Sequence, residues 1–321
     1  MFWSLHLPDG HTPDRAVAAT LDHLDLARTV VAAHGEGLYP ARTAGEVADA
    51  RNRGRVAVLF GPATAAALGD SLGVLRSLYT LGLRVLSLTG VSWAGPAGLT
   101  RFGEETVREM NRLGMIADLS YASAPTIRRV LTLSKAPVLF SRSAACALRP
   151  HPANLPDDLL AEVARTRSLC MVPLAAEQSG PAVRDVADQL DHIRAIAGPE
   201  CVGLSGTYDT GGAYPRELAD PSCYPRLIAE LLRRGWEESE VALLTWGNVQ
   251  RVLRGPRSPR TRSSSAGPRP RRPSGNWTAE GLSAAWDAWT GRTPVPRAPW
   301  ALAHRGPAGW GRMGRCAGSA D

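Results

Sequence analysis

Lysine is nearly missing from this chain: Lys135 is the only one among 321 residues, and arginine supplies every other basic side chain. Together with abundant alanine, glycine and proline, that reflects GC-rich coding, not selection for phosphate recognition. No apolar run approaches the ~18–20 residues needed to cross a bilayer. The opening MFWSLHLPDG has no basic stretch followed by an apolar one, so no secretory leader is expected. The closing GRMGRCAGSAD lacks the hydrophobic tail of a lipid-anchor signal. The five cysteines form no CxxC pair, and Cys170 and Cys201 sit in apolar strands, where buried structural thiols are expected. The seven histidines (His6, His11, His23, His34, His151, His192 and His304) form neither HxH nor HExxH. Neither GxGxxG nor GxxxxGK[ST] occurs, so nothing points to a nucleotide cradle. Ser92 lacks the GxSxG setting of an elbow nucleophile.

What is there divides sharply. The formal charge is +7, but from Arg254 onward twelve arginines face Glu280, Asp287 and Asp321, a local charge of +9. Residues 1–253 therefore stand near −2, and the basic balance belongs to the tail alone. The tail opens with GPRSPRTRSSSAGPRPRRPSG, a composition expected to be disordered. Its five tryptophans (277, 286, 289, 300 and 310) show no sustained period, and 279–289 is the one stretch able to form a short helix. Its aromatics do not interleave with the arginines, so a nucleic-acid platform is not expected. Asn276-Trp277-Thr278 is a sequon that matters only in a secretory setting. The division predicts one domain over 1–253 and a tail over 254–321.

The first part alternates short apolar runs with helical patterns, the mark of an α/β fold with a parallel sheet. Strands are expected at 2–7, 55–60, 85–89, 115–120, 137–141, 169–174 and 202–206. Thr12-Pro13 opens a helix with Thr12 as cap, and Thr43 with Glu46 has capping-box spacing. Further helices are expected at 71–81, 102–113, 124–133, 157–165, 183–197, 224–234 and 239–253, the last with a Ser239 cap. Seven strands fall one short of a closed (β/α)₈ barrel. An open doubly wound sheet could hold seven, but no switch-point motif is found. The reading adopted is a TIM barrel whose first strand is missing.

Several segments carry a resemblance: FWSLHLP, SLGVLRSLYTLGLRVLSLT, FGEETVREMNRLGMIADLSYAS, TIRRVLTLSKAPVLFS, NLPDDLL, VADQLDHIRAIAG and YPRLIAELLRRGW. Across 2–253 the chain resembles the membrane (renal-type) dipeptidases, most nearly their dipeptidase 3 branch. The resemblance implies a metal-dependent hydrolase on a (β/α)₈ scaffold that cleaves dipeptides with two bridged zinc ions. It also implies dimers, a glycolipid anchor and the outer cell surface. Carried across position by position, the bridging glutamate falls on Ala63. The histidine near the tetrahedral intermediate falls on Gly90. Two metal histidines fall on Tyr121 and Arg142, and the acid/base aspartate on Thr207. The His-x-Asp pair belongs to a strand ahead of FWS. The arginine that grips the substrate carboxylate has Arg149 as its nearest counterpart, and Tyr208 and Asp209 remain as substrate-side groups.

Alanine and glycine bear no donor, and a guanidinium keeps its charge and repels a dication. No bound zinc and no catalytic residue are therefore expected. Elsewhere the histidines read as ordinary: His23 and His192 as satisfied or solvated helix residues, His6 as a first-strand residue able to point into the barrel. Asp118, within MIADLS, needs a partner if buried; either Arg142 pairs with it or nearby backbone does. Three functional readings stand: an atypical zinc dipeptidase, a non-catalytic barrel that binds a partner or ligand, or an incomplete gene model of an active dipeptidase. Truncation leaves the replacements at Ala63, Tyr121, Arg142 and Thr207 unexplained, because they lie inside well-matched segments.

Overall fold

The structure, a computed structural model, describes residues 1–7, 12–208 and 212–255. Among the described residues, ten strands run β1 (Phe2–Leu5), β2 (Leu38–Pro40), β3 (Val56–Thr64), β4 (Val85–Ser87), β5 (Ala94–Gly95), β6 (Gly98–Leu99), β7 (Ile116–Asp118), β8 (Leu139–Phe140), β9 (Leu169–Pro173) and β10 (Val202–Ser205). Seven of them form one parallel sheet in the order β1-β3-β4-β7-β8-β9-β10, with β2 pairing β3 from off that path. β5 and β6 make a separate antiparallel hairpin. The sheet curls as a barrel wall does. No ladder joins β1 to β10 among the described residues, so these two strands are its edges. The expected seven strands are all present.

Helices cover the outside: α1 (Pro13–Ala33), α2 (Ala44–Asn52), α3 (Leu72–Leu81), α4 (Arg101–Leu113), α5 (Ala124–Leu133), α6 (Asp157–Arg165), α7 (Ala176–Ser179), α8 (Val183–Ala197), α9 (Tyr224–Arg233), α10 (Glu238–Ala242) and α11 (Asn248–Arg254). Their starts follow from capping chemistry. Thr43 accepts from the Glu46 N–H while Glu46 reaches back, completing the box. Ser71, Thr100 and Ser123 cap α3, α4 and α5 by accepting from the N–H groups of Val74, Gly103 and Thr126. Two caps differ from expectation. Thr12 makes no side-chain cap bond, and α1 relies on its proline instead. The helix expected from Ser239 starts at Glu238 with Glu237 as its cap, where the Glu237 N–H donates to the Glu240 carboxylate at 2.9 Å. It also does not run unbroken to 253, since residues 243–247 form a π turn before α11.

Period-two alternation sorts the strand residues onto two faces. Leu86, Ala117, Phe140, Cys170 and Val172 point outward into the main core beneath the helices. Val85, Ile116, Leu139, Leu169 and Met171 point inward, where Val252 of α11 closes the floor with Phe2, Val249 and Leu253 beside it. Cys170 and Cys201 are buried free thiols, as expected, and burial pushes both above the ordinary thiol range. Gly61 has φ +118°, and a Cβ there would lie 2.6 Å from the Val85 carbonyl oxygen, so only glycine lets β3 approach β4. His192 bonds Asp157 at 2.9 Å across α8 and α6, the satisfied state expected, and His23 is exposed on α1. Asp209, the sequon, the tryptophans and all else from residue 256 on lie outside the described residues.

Candidate functional site

In a parallel barrel, residues just past the strand ends share one face. Ala63 is the last residue but one of β3 and packs in the main core, whereas Gly90 follows β4, Tyr121 follows β7, Arg142 follows β8 and Thr207 follows β10, so the five positions named by resemblance lie at the same end of the sheet. The layer beneath them is polar. Asp118, fully buried at the end of β7, accepts five hydrogen bonds on its two carboxylate oxygens. Ser87 Oγ (2.6 Å) and Ser141 Oγ (2.9 Å) donate to Oδ2. Ser120 Oγ (2.9 Å), the Ser141 N–H (2.9 Å) and the Ser120 N–H (3.2 Å) donate to Oδ1. Five donors exhaust the useful lone pairs of a carboxylate.

Of the two partners considered for Asp118, Arg142 or nearby backbone, the structure shows the backbone N–H groups of Ser120 and Ser141, joined by three serine hydroxyls that the sequence reading did not name. No ion pair forms between Asp118 and Arg142, because the serines saturate the carboxylate and the guanidinium is directed elsewhere. Arg142 Nη2 lies 3.0 Å from His6 Nε2. A guanidinium can only donate, so Nε2 must carry the lone pair and His6 must be neutral with its proton on Nδ1. That proton is donated to Ser4 Oγ, whose hydroxyl reaches the Pro62 carbonyl at 3.5 Å. Burial, and then the Arg142 charge, pull His6 down to about 4, with Asp118 opposing them. His6 does point into the barrel mouth, as expected, where it is fastened to an arginine.

The backbone N–H of Arg142 donates to Ser120 Oγ at 2.9 Å, which ties the β8 tip to the β7 tip. Tyr121 has φ +63°, a left-handed backbone unusual for a bulky residue, and the Thr89 hydroxyl holds its carbonyl at 3.1 Å. In that conformation its ring stands 5.5 Å from the Arg142 guanidinium carbon and 6.3 Å from the His151 ring, edge to face. Thr207 also has positive φ, at +48°.

The substrate-side candidates are dispersed. Arg149 donates from Nε to the Glu177 carbonyl at 2.8 Å, and Asn154 braces its own carbonyl. Tyr208 packs with Tyr214 (5.4 Å) and Tyr224 (6.2 Å), and burial raises its hydroxyl above the ordinary range. No hydrogen bond or ring contact joins Arg149 to Tyr208. Sequence reasoning missed Ser87, Ser120, Ser141 and His151. The three serines were visible only as polar breaks at the ends of apolar strands.

These residues do not fit a pair of zinc ions. Such a centre needs carboxylates and neutral imidazoles turned toward the metals. Here Asp118 is saturated, His6 Nε2 is taken by a guanidinium, and that guanidinium occupies the mouth with a permanent charge. Among the described residues, no three His, Cys, Asp or Glu side chains are grouped so as to hold a metal. Nor is any helix long and apolar enough to cross a membrane.

Comparison with known proteins agrees with the fold. Human dipeptidase 3 is 40% identical over 272 residues, covering 79% of this chain and 55% of that protein. The mouse dipeptidase 3 is 41% identical, with 79% and 54% covered, so the chain spans about half the length of these relatives. Dipeptidase verJ of Clonostachys rogersoniana is 34% identical over 79% of this chain and 71% of its own length. A solved metallopeptidase of Rhodobacter sphaeroides, liganded with a phosphinate mimic of L-Ala-D-Ala, superposes with a TM-score of 0.69 at 26% identity, over 78% of this chain and 85% of that one. Residues 1–265 match the membrane dipeptidase family, peptidase family M19, and the chain belongs to it.

Proposed function

We propose that this chain is a non-catalytic member of its family: a barrel that keeps the dipeptidase mouth as a ligand-binding surface but does not hydrolyse dipeptides with zinc. The observation that carries this reading is the lock between Arg142 and His6 above a carboxylate already given five donors. A zinc ion at that place would have to displace the guanidinium from the imidazole and the serines from Asp118. It would gain no new ligand from Ala63 or Gly90 in return.

A second reading, zinc-dependent dipeptide hydrolysis, is favoured by the dipeptidases at 34–41% identity. Hydrolysis of Gly–Leu by the purified chain, with zinc and then with a chelator, separates the two. The non-catalytic reading expects no turnover in either condition. Turnover that a chelator abolishes overturns it. Self-association and attachment to the outer cell surface, both implied by the resemblance, extend the proposal; sizing in solution tests the first and surface labelling of expressing cells the second.

A further inference from the structure

Among the described residues, the Arg142 guanidinium has no counter-ion. It is half-buried, and no carboxylate among the described residues lies within ion-pair distance of it. Of its five N–H donors, one is spent on His6; Nε and Nη1 have no hydrogen-bond partner among the described residues. Neither of its titratable neighbours among the described residues supplies that charge. His6 is neutral, since its Nε2 accepts from the guanidinium, and Asp118 is occupied by serines. One wall beside the guanidinium is aromatic: Tyr121, about half exposed, with His151 set edge-on against it.

We propose that the mouth of the barrel is a binding site for a small carboxylate, held by the open N–H donors of Arg142, with its apolar body against Tyr121 and His151. This rests on the non-catalytic reading above and names its ligand class. Guanidinium and carboxylate match as planar forks, and charge-assisted bonds of this type are about twice as strong as neutral ones. The neutral imidazole behind Arg142 helps in two ways. It fixes the guanidinium in one orientation through Nε2, and it adds no negative charge that would repel an anion. The left-handed backbone of Tyr121 brings its ring beside the guanidinium. A planar monoanion with an aromatic or branched body suits this arrangement better than a tetrahedral dianion, because a single guanidinium faces it.

The test uses the full chain and isothermal titration with hippurate, with the uncharged hippuramide as its isosteric control. Wild type is expected to bind hippurate at least about tenfold more tightly than hippuramide, as a charge-assisted contact requires. Arg142→Gln is expected to lose that discrimination, and Arg142→Lys to recover only part of it, since an ammonium has no fork. Arg53→Gln, which removes an equal charge from the exposed end of α2, is expected to bind like wild type. The comparison of the two ligands on unaltered protein keeps the test valid if the Arg142 variants fold poorly. Equal binding of hippurate and hippuramide, undiminished binding by Arg142→Gln, or tighter binding of inorganic phosphate each overturns the assignment. The two proposals fail separately. Zinc-dependent Gly–Leu hydrolysis with Arg142-dependent hippurate binding removes the first and leaves the second, and a silent protein blind to the carboxylate does the reverse.

Discussion

Acid should weaken this fold in a pH window that belongs to His6. The unfolded chain takes up a proton on His6 near 6.5, whereas in the folded protein burial and Arg142 hold it to about 4. Below 6.5 the unfolded state therefore binds more protons, and stability falls with falling pH until the folded pKa is reached. It is fully present above about 6.5, is lost between 6.5 and 4, and changes no further below 4. Between pH 7 and pH 5 the loss from this one residue amounts to about 2 kcal/mol. The carboxylates act in a different window. Glu109 is drawn to about 2 by Arg112 and Arg76, so its contribution persists above its ordinary pKa and disappears only as pH falls toward 2. Urea unfolding of wild type and His6→Gln at pH 7, 6 and 5 isolates the imidazole, because glutamine can still accept from Arg142 but does not titrate. The wild type should lose about 2 kcal/mol more than the variant across that range. Parallel curves for the two proteins would show that His6 is not held neutral and would refute the Arg142–His6 contact.

Three further outcomes follow from packing and hydrogen bonding. Asp118→Ala should cost about 3 kcal/mol or more, because it strands the hydroxyls and N–H groups of three residues in a dry layer, while Asp118→Asn, which keeps one acceptor oxygen, should cost less; denaturant melts compare them. Gly103→Ala should destabilise by about 1–3 kcal/mol, since the new Cβ would meet the Trp93 carbonyl oxygen at 2.6 Å, and near-UV dichroism should report the disturbed Trp93–Phe102 pair. Val252→Ala should cost about 2 kcal/mol by opening the apolar floor that α11 closes, without altering hippurate binding at the opposite end; thermal melts and the titration read the two effects.

The parallel sheet was legible because most of its buried strands are short apolar runs ended by glycine or a small polar residue, which periodicity detects directly. Elements that bury little escaped. β2 is three residues long and half-exposed, and β5 and β6 are two residues each, held by Gly98 at positive φ and not by any apolar pattern. The π turn before α11 was hidden because residues 239–253 read as one helix in composition. At the mouth, Tyr121 and Arg142 could be named by resemblance, and His6 by its place near the end of the first strand. The partners of Asp118 could not be named. Ser87 and Ser141 lie 31 and 23 residues from it in sequence and meet it only through the parallel register of β4, β7 and β8. Serine is so common at strand ends that three of them carry no signal until that register is known.

The mouth holds a guanidinium–imidazole lock where the resemblance places the metal ligands. Zinc content is its most direct measure: the chain is expressed with zinc in the medium, passed through gel filtration without chelator, and assayed for metal against protein. Well under one zinc per chain is expected, with no rise in melting temperature on adding zinc, since a ligand of the native state must raise it. About two zinc ions per chain, bound tightly enough to survive the column, would contradict it.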